Sequence, residues 1–383
     1  MNSVCPSEKC TGCSACVSKC PAAAIKLVDT LDKVYTEIDS DLCVNCNLCK
    51  QVCPTINLIE KKEPIGWFEG WSNNNSIRSI SSSGGIATEL ISGFIKSGGY
   101  VCSCVFYNGV FDFFITNNLN EAHRFAGSKY VKSNLKSSHK CVEMLLRRGE
   151  QVLFIGLPCQ VASIKQYLDK DIQDNLYCVD LICHGTPSYE LLKLYLHQHG
   201  VDINKIDNIR FRSKKDSDLS FNSISYKGTV DRYLISFLNS INYTECCYDC
   251  QYASRARVSD ITIGDNWGTD LTAELQKGLS LILCITEKGK SLLSSVDLSL
   301  SEVNIDKAIL ANGQLSRPCS IPINRKPFFT EILRGADYDK LVLKLLPKQT
   351  LKQYIKAWFI KVGLYKSKGG YGIQYKYSES PKE

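Results

Sequence analysis

The sequence CTGCSACVSKCP at residues 10–21 is followed, at residues 43–54, by CVNCNLCKQVCP. Each has the form C-x2-C-x2-C-x3-C-P, the bacterial ferredoxin run in which the fourth cysteine crosses over to ligate the neighbouring cluster. Two-residue gaps let three thiolates of one short loop converge on adjacent corners of a cubane, while the fourth must come from a distant point of the fold. The internal repeat supplies it by pseudo-symmetry. Cys10, Cys13, Cys16 and Cys53 are therefore assigned to one 4Fe-4S cluster, and Cys43, Cys46, Cys49 and Cys20 to a second. Structural zinc also uses C-x2-C pairs, but it gives no reason to repeat the third cysteine or the trailing proline. Residues 1–62 read as a two-cluster ferredoxin module, with short strands at 25–27 and 34–38. Cys5 lies outside the spacing and reads as a bystander.

The whole chain has 383 residues, 44% hydrophobic and 22% charged, which leaves room for a larger domain behind the module. Its 20 cysteines, behind a start (MNSVCPSEKC) with no basic-then-apolar leader, imply a reducing cytoplasm where thiolates serve metals. No apolar run approaches the roughly 18 residues of a membrane-spanning helix. The net charge of +7 is concentrated: from Lys340 onward ten lysines face two glutamates, a local +8, leaving about −1 for residues 1–339. In this tail, residues 336–383, Leu351, Tyr354, Ile355, Trp358, Phe359 and Val362 fall on one helical stripe, with Lys352, Lys356 and Lys361 interspersed. The pattern reads as a helix docked on the body with its lysines in water. A basic amphipathic helix on an anionic membrane surface is the other reading. No nucleic-acid reader motif accompanies the lysines, so no nucleic-acid partner is expected.

Behind a linker at Lys61-Lys62-Glu63-Pro64, strand and helix signals alternate over residues 63–335. Ser81-Ser82-Ser83-Gly84-Gly85 leads into a helical stripe of Ile86, Leu90, Ile91, Phe94 and Ile95, a turn and helix N-terminus of the kind that can hold a phosphate. Residues 99–107 and 111–115 read as a strand pair around Asn108-Gly109, with Cys102 and Cys104 as core thiols. Residues 152–155 form an apolar strand, then Gly156-Leu157-Pro158-Cys159-Gln160, then a helix. Residues 176–182 form another strand, then Cys183-His184-Gly185-Thr186-Pro187, then a second proline-started helix. That succession predicts a parallel βαβ unit with both loops at the carboxyl edge of the sheet, where open α/β sheets bind ligands. Cys247 and Cys250 offer a C-x2-C pair just before a returning strand at 261–263. A third 4Fe-4S cluster on Cys159, Cys183, Cys247 and Cys250 is the resulting expectation, with core thiols or zinc as the alternatives. Cys141, Cys178, Cys284 and Cys319 read as packing residues.

At these residues the sequence resembles the coenzyme F420 hydrogenase/dehydrogenase beta subunit family. The matching elements are Ser82-Ser83-Gly84-Gly85, Gly127-Ser128-Lys129-Tyr130, Leu157-Pro158-Cys159-Gln160, Cys183-His184-Gly185, Cys247-Tyr248-Asp249-Cys250, and the run from Arg257 to Asp265 before Trp267-Gly268. The resemblance implies FAD beside one 4Fe-4S cluster, with Ser82, Ser83, Gly84, Gly85, Gly127, Ser128, Lys129, Gln160 and Asp265 lining the flavin. Asn266 stands where relatives carry an aromatic. The implied fold is α/β, α+β overall: a bacterial-type ferredoxin module followed by a flavin-binding domain with a partly parallel sheet.

The function expected is an iron-sulfur flavoprotein oxidoreductase passing electrons between the clusters, FAD and an organic substrate or deazaflavin-type coenzyme. Its donor would be a redox protein or reduced coenzyme, and similar proteins accompany cell-surface polysaccharide genes. An electron-relay subunit with no small-molecule substrate is the alternative. No G-x-G-x-x-G follows a strand, so a Rossmann-type nicotinamide site has no support. His184 is a candidate proton relay or hydrogen-bond donor to a cluster sulfur, and Lys129 a candidate for stabilising reduced flavin. Arg255 and Arg257 would offset cluster charge or face water.

Overall fold

The computed structural model describes residues 3–213, 224–225, 230–362, 364 and 370–377. Parts of the tail read above, 363, 365–369 and 378–383, lie outside the described residues. The module contributes an antiparallel hairpin, β1 (Ile25–Asp29) and β2 (Val34–Ile38). The body follows with β3 (Gly66–Ser72), β4 (Tyr100–Tyr107), β5 (Val110–Thr116), β6 (Val152–Gly156) and β7 (Leu176–Leu181), then β8 (Ile206–Ser213), β9 (Ile224–Ser225), β10 (Ile261–Asp265), β11 (Ser280–Cys284), β12 (Leu298–Glu302) and β13 (Gly370–Tyr377).

Eight of these strands form one mixed sheet in the order β12-β3-β11-β10-β7-β6-β4-β5. Its centre, β10-β7-β6-β4, is parallel, and the flanking pairs are antiparallel. The parallel strands carry near-continuous apolar runs because both of their faces are covered: all of β6 is buried. Helix Ile86–Lys96 covers one face, and Ile86, Leu90, Ile91 and Phe94 join Leu153, Val179 and Ile263 in its core. Helix Pro158–Tyr167 packs on the other face with Val161 and Ile164. The tight turn between β4 and β5 places Asn108 and Gly109 at φ 47° and 78°, the left-handed pair that a two-residue hairpin requires.

The two prolines differ in role. Pro158 is the first residue of its helix, where its missing N–H costs nothing. Pro187 instead precedes the cap: Ser188 Oγ accepts from Leu191 N at 3.1 Å, and the helix starts at Tyr189.

The ferredoxin module is fused to the body rather than tethered. Ala15 and Val52 share a core with Val142, Val161 and Tyr252. The linker is pinned, since Lys62 and Arg257 exchange both backbone hydrogen bonds at 2.8 Å. Arg257, expected beside a cluster or in water, is buried and paired with Asp180 at 2.9 Å. Deep inside this junction, His139 stands 3.4 Å from Ser18 Oγ of the module and 3.0 Å from Ser163 Oγ of the body.

Candidate metal centre

The two ferredoxin loops curl by the same device. Left-handed residues fall at Gly12 and Ser14 in the first loop and at Asn45 and Asn47 in the second, and they reverse the chain so that its sulfurs face inward. At Gly12 a side chain would also collide with Val34, 2.8 Å from the position of its Cβ. The fourth cysteines cross over. Cys53 lies with Cys10, Cys13 and Cys16, and Cys20 with Cys49 and Cys46. Burial differs between the sets: Cys10, Cys16 and Cys53 are buried, whereas Cys46 is exposed.

At the carboxyl edge of the parallel strands, Cys159, Cys183, Cys247 and Cys250 line one cavity, joined by Cys246. The cavity measures about 40 Å³ as swept by the centre of a water-sized sphere, several times the roughly 10–15 Å³ that one water needs. Among the described residues no three His, Cys, Asp or Glu side chains converge tightly enough to hold a single metal ion. The sulfurs ring a space instead, which fits a cubane better than zinc. Burial pushes the Cys159 thiol up to about 11 and that of Cys250 to about 12, so such thiols favour an electrophilic partner over ionising alone. Thr186 Oγ1, buried on the same wall, has no hydrogen-bond partner among the described residues.

Four residues that spacing could not reveal complete this region. Lys132 is buried on the cavity wall. Burial opposes its charge, but the sulfurs of Cys246, Cys159, Cys247 and Cys183 outweigh that and hold it protonated. Tyr252 lines the same cavity, and its hydroxyl is pushed upward by burial and by Cys159, Cys13, Cys250 and Cys53 together, which places it between the module's inner cysteines and the body's. Cys5 and Cys246 are matched extras. The Cys5 thiol hydrogen-bonds to Cys10 and Cys53, drawing them down to about 7 and about 6, and Cys246 lowers Cys247 in the same way. Cys5 is therefore no bystander.

The residues expected at a flavin divide into two groups. Ser128 N donates to Ser82 Oγ at 2.8 Å, joining the glycine loop to the serine turn. Gly84 N donates to Ser280 Oγ at 3.0 Å, and Ser280 pairs with Asp265 across β11 and β10. Ser83 Oγ and Asn266 N both donate to the Leu279 carbonyl. The turn packs so closely that a side chain at Gly84 would meet the Gly70 carbonyl 2.4 Å away. Beside it Asp265 pairs with Arg212 at 2.6 Å, and the guanidinium lies 5.5 Å over the exposed Trp267 ring. His184 reaches toward this group from the cavity wall, with burial lowering its pKa and Asp265 opposing that shift.

Two of the expected residues are engaged elsewhere. Lys129 Nζ donates to the carbonyls of Phe125, Ala126 and Gly127 and clasps its own loop. Gln160 is buried, accepting from Leu157 N and donating to Ser133 Oγ, and so caps its helix. Arg255 is exposed beside Glu63.

Comparison with known proteins agrees with this division of the chain. Residues 149–306 match the family described as the C terminus of the coenzyme F420 hydrogenase/dehydrogenase beta subunit, and residues 9–57 match the 4Fe-4S dicluster domain. A coenzyme F420-dependent sulfite reductase of Methanocaldococcus jannaschii is 24% identical over 328 residues, covering 80% of this chain and 49% of that protein. The chain thus spans about half the length of that curated relative. A ferredoxin-like protein in the nif region of Nostoc is 36% identical over 74 residues, 18% of this chain and 60% of that protein. A chain of the xenon-derivatised F420-reducing NiFe hydrogenase complex of Methanosarcina barkeri superposes with a TM-score of 0.49 at 14% identity, covering 73% of this chain and 97% of that one.

Proposed function

Because this chain belongs to the coenzyme F420 hydrogenase/dehydrogenase beta subunit-like family and carries a 4Fe-4S ferredoxin module ahead of it, we propose that it is an iron-sulfur flavoprotein oxidoreductase. Its partner would be an organic substrate, such as a surface-polysaccharide precursor, or a deazaflavin-type coenzyme. The observation that carries this reading is the cysteine-lined cavity walled by Thr11 of the first ferredoxin loop on one side and by His184 on the other.

Cys43, Cys46, Cys49 and Cys20 would hold the outermost cluster, Cys10, Cys13, Cys16 and Cys53 the next, and Cys159, Cys183, Cys247 and Cys250 a third. FAD would lie along Ser82, Ser83, Gly84, Gly85, Gly127, Ser128 and Asp265. Clusters of this kind exchange single electrons and a flavin exchanges pairs as hydride, so together they join one-electron donors to an organic acceptor. The chain contributes charge and proton control. Lys132 supplies positive charge next to the cavity sulfurs, Tyr252 fills the space between two cysteine sets and keeps water out, and His184 is a neutral imidazole that can hold or yield a proton at the edge facing Asp265.

The length match favours a second reading. A chain covering 49% of a sulfite reductase would serve as the electron-input part of a larger assembly whose substrate is reduced on another polypeptide. One experiment separates the two. The anaerobically purified chain is denatured and assayed for released FAD, and the native protein is mixed with reduced coenzyme F420, reduced ferredoxin or NADH while its visible spectrum is followed. FAD release with bleaching by one donor supports the oxidoreductase. Bleaching without turnover of any small molecule supports the relay, and a folded, flavin-free protein rejects the flavin assignment.

A further inference from the structure

Helix Pro347–Lys361 is seated with its apolar side outward. Periodicity alone suggests that Leu351, Tyr354, Ile355, Trp358 and Phe359 should face the body. Instead Thr350 is fully buried and Gln353 and Ala357 are half-buried, while all five of the apolar side chains are exposed, Leu351 by 60% and Trp358 by 57%. Val362 continues the ridge. The seating is fixed by a specific contact: Arg232 Nη2 donates to the Tyr354 hydroxyl at 2.9 Å and its guanidinium lies 5.0 Å over the ring. The docked-helix reading of the tail therefore holds for the helix but is reversed for its apolar stripe.

Two further features identify what covers this ridge. Lys348 and Lys352 are exposed and follow one another at i, i+4 along its edge. From Lys340 to Ser378 the sequence contains nine lysines and no aspartate or glutamate. A ridge of Leu, Ile, Trp and Phe flanked by such lysines has the make-up of a helix lying in the interface of an anionic bilayer, rings at the headgroup boundary and ammonium groups on the headgroups. Among the described residues no helix is long and apolar enough to cross a membrane. We propose that helix Pro347–Lys361 lays its exposed Leu351–Ile355–Trp358–Phe359 ridge onto an anionic lipid surface, holding the redox body at the membrane. This inference is independent of the substrate assignment above.

The test uses the full-length, cofactor-loaded protein in co-sedimentation with phosphatidylcholine vesicles, with and without phosphatidylglycerol, at low and high salt. Binding to the phosphatidylglycerol vesicles is expected, and it should weaken with salt and roughly thirtyfold in the double variant Lys348→Gln/Lys352→Gln, from the usual contribution of a lysine near such a surface. Trp358→Glu should abolish it while leaving the visible spectrum unchanged, since the ring is exposed. The proposal is overturned by absence of binding, or by binding indifferent to both lipid charge and Trp358. It is equally overturned by a dimer in vesicle-free solution that Trp358→Glu converts to monomer, which would assign the ridge to a second copy of the chain.

Discussion

Arg257 and Asp180 form an ion pair almost wholly removed from water, Nη2 standing 2.9 Å from Oδ1 with the side chains 2% and 0% exposed. Asp180 closes β7 three residues before Cys183, and Arg257 follows Cys250 by seven. The same guanidinium donates to the carbonyls of Tyr252, Ser254 and Leu181, and Thr262 of β10 donates to Asp180 at 2.6 Å. One buried network thus positions the loops that bring the two halves of the cysteine cavity together.

Breaking this pair from one side leaves a charge stranded. Arg257→Met should lower stability by about 3–5 kcal/mol, the usual cost of orphaning a buried partner. Anaerobic urea unfolding of the variant checks it. A loss below about 1 kcal/mol would show that the cavity loops are held by something else, because only an exposed pair is worth so little.

Lys132 should raise the reduction potential of the centre it faces, since each added electron is stabilised by a nearby positive charge. Lys132→Met is expected to move one centre to a more negative midpoint in an EPR-monitored titration and to leave the others in place. Lys132→Arg should restore most of the shift. A merely structural lysine would alter cluster content without a selective change in potential.

Cys5 and Cys246 are hydrogen-bond donors to expected ligands. Cys5→Ala and Cys246→Ala should each retain the full complement of about twelve irons, as three cubanes require. The midpoint potentials of the adjacent centres should fall, because a sulfur-directed hydrogen bond has been removed. Loss of about four irons in either variant would instead make that cysteine a ligand.

His139 should make the junction between module and body acid-sensitive. Burial, with no charged partner against it, lowers its pKa from 6.5 to about 3. Below the unfolded value the unfolded chain takes up a proton that the folded chain refuses. This contribution is complete above about pH 6.5 and is lost as pH falls toward 3, by at most about 1.4 kcal/mol per unit. Unfolding followed at pH 7.0 and 5.5 should show a drop of about 1 kcal/mol from this group, and His139→Gln should abolish that component.

Local spacing was enough to read the ferredoxin crossing, the Asn108-Gly109 hairpin and the β6–β7 unit, because each is set by chain-neighbour geometry and by strands buried on both faces. Cys159 and Cys183 meet for the same reason: parallel neighbours deliver their loops to one edge. Lys132 and Tyr252 were illegible, since nothing local marks a residue that becomes important only when a distant loop lands beside it. Arg257 reads as a solvent-facing cation until β7 is placed against β10. The tail shows how far periodicity goes, as the stripe from Leu351 to Val362 was visible but the side it faces depends on Thr350 and Arg232 in the folded protein.

The central claim is that the body carries an iron-sulfur centre of its own, joined to the two of the ferredoxin module. Iron and acid-labile sulfide counted per chain in the anaerobically purified protein and in Cys159→Ser test it most directly. The account predicts about twelve of each in the unaltered protein and about eight in the variant, with the spectrum of the module preserved. About eight in both would contradict it, leaving the cavity of Cys159, Cys183, Cys247 and Cys250 without a cluster.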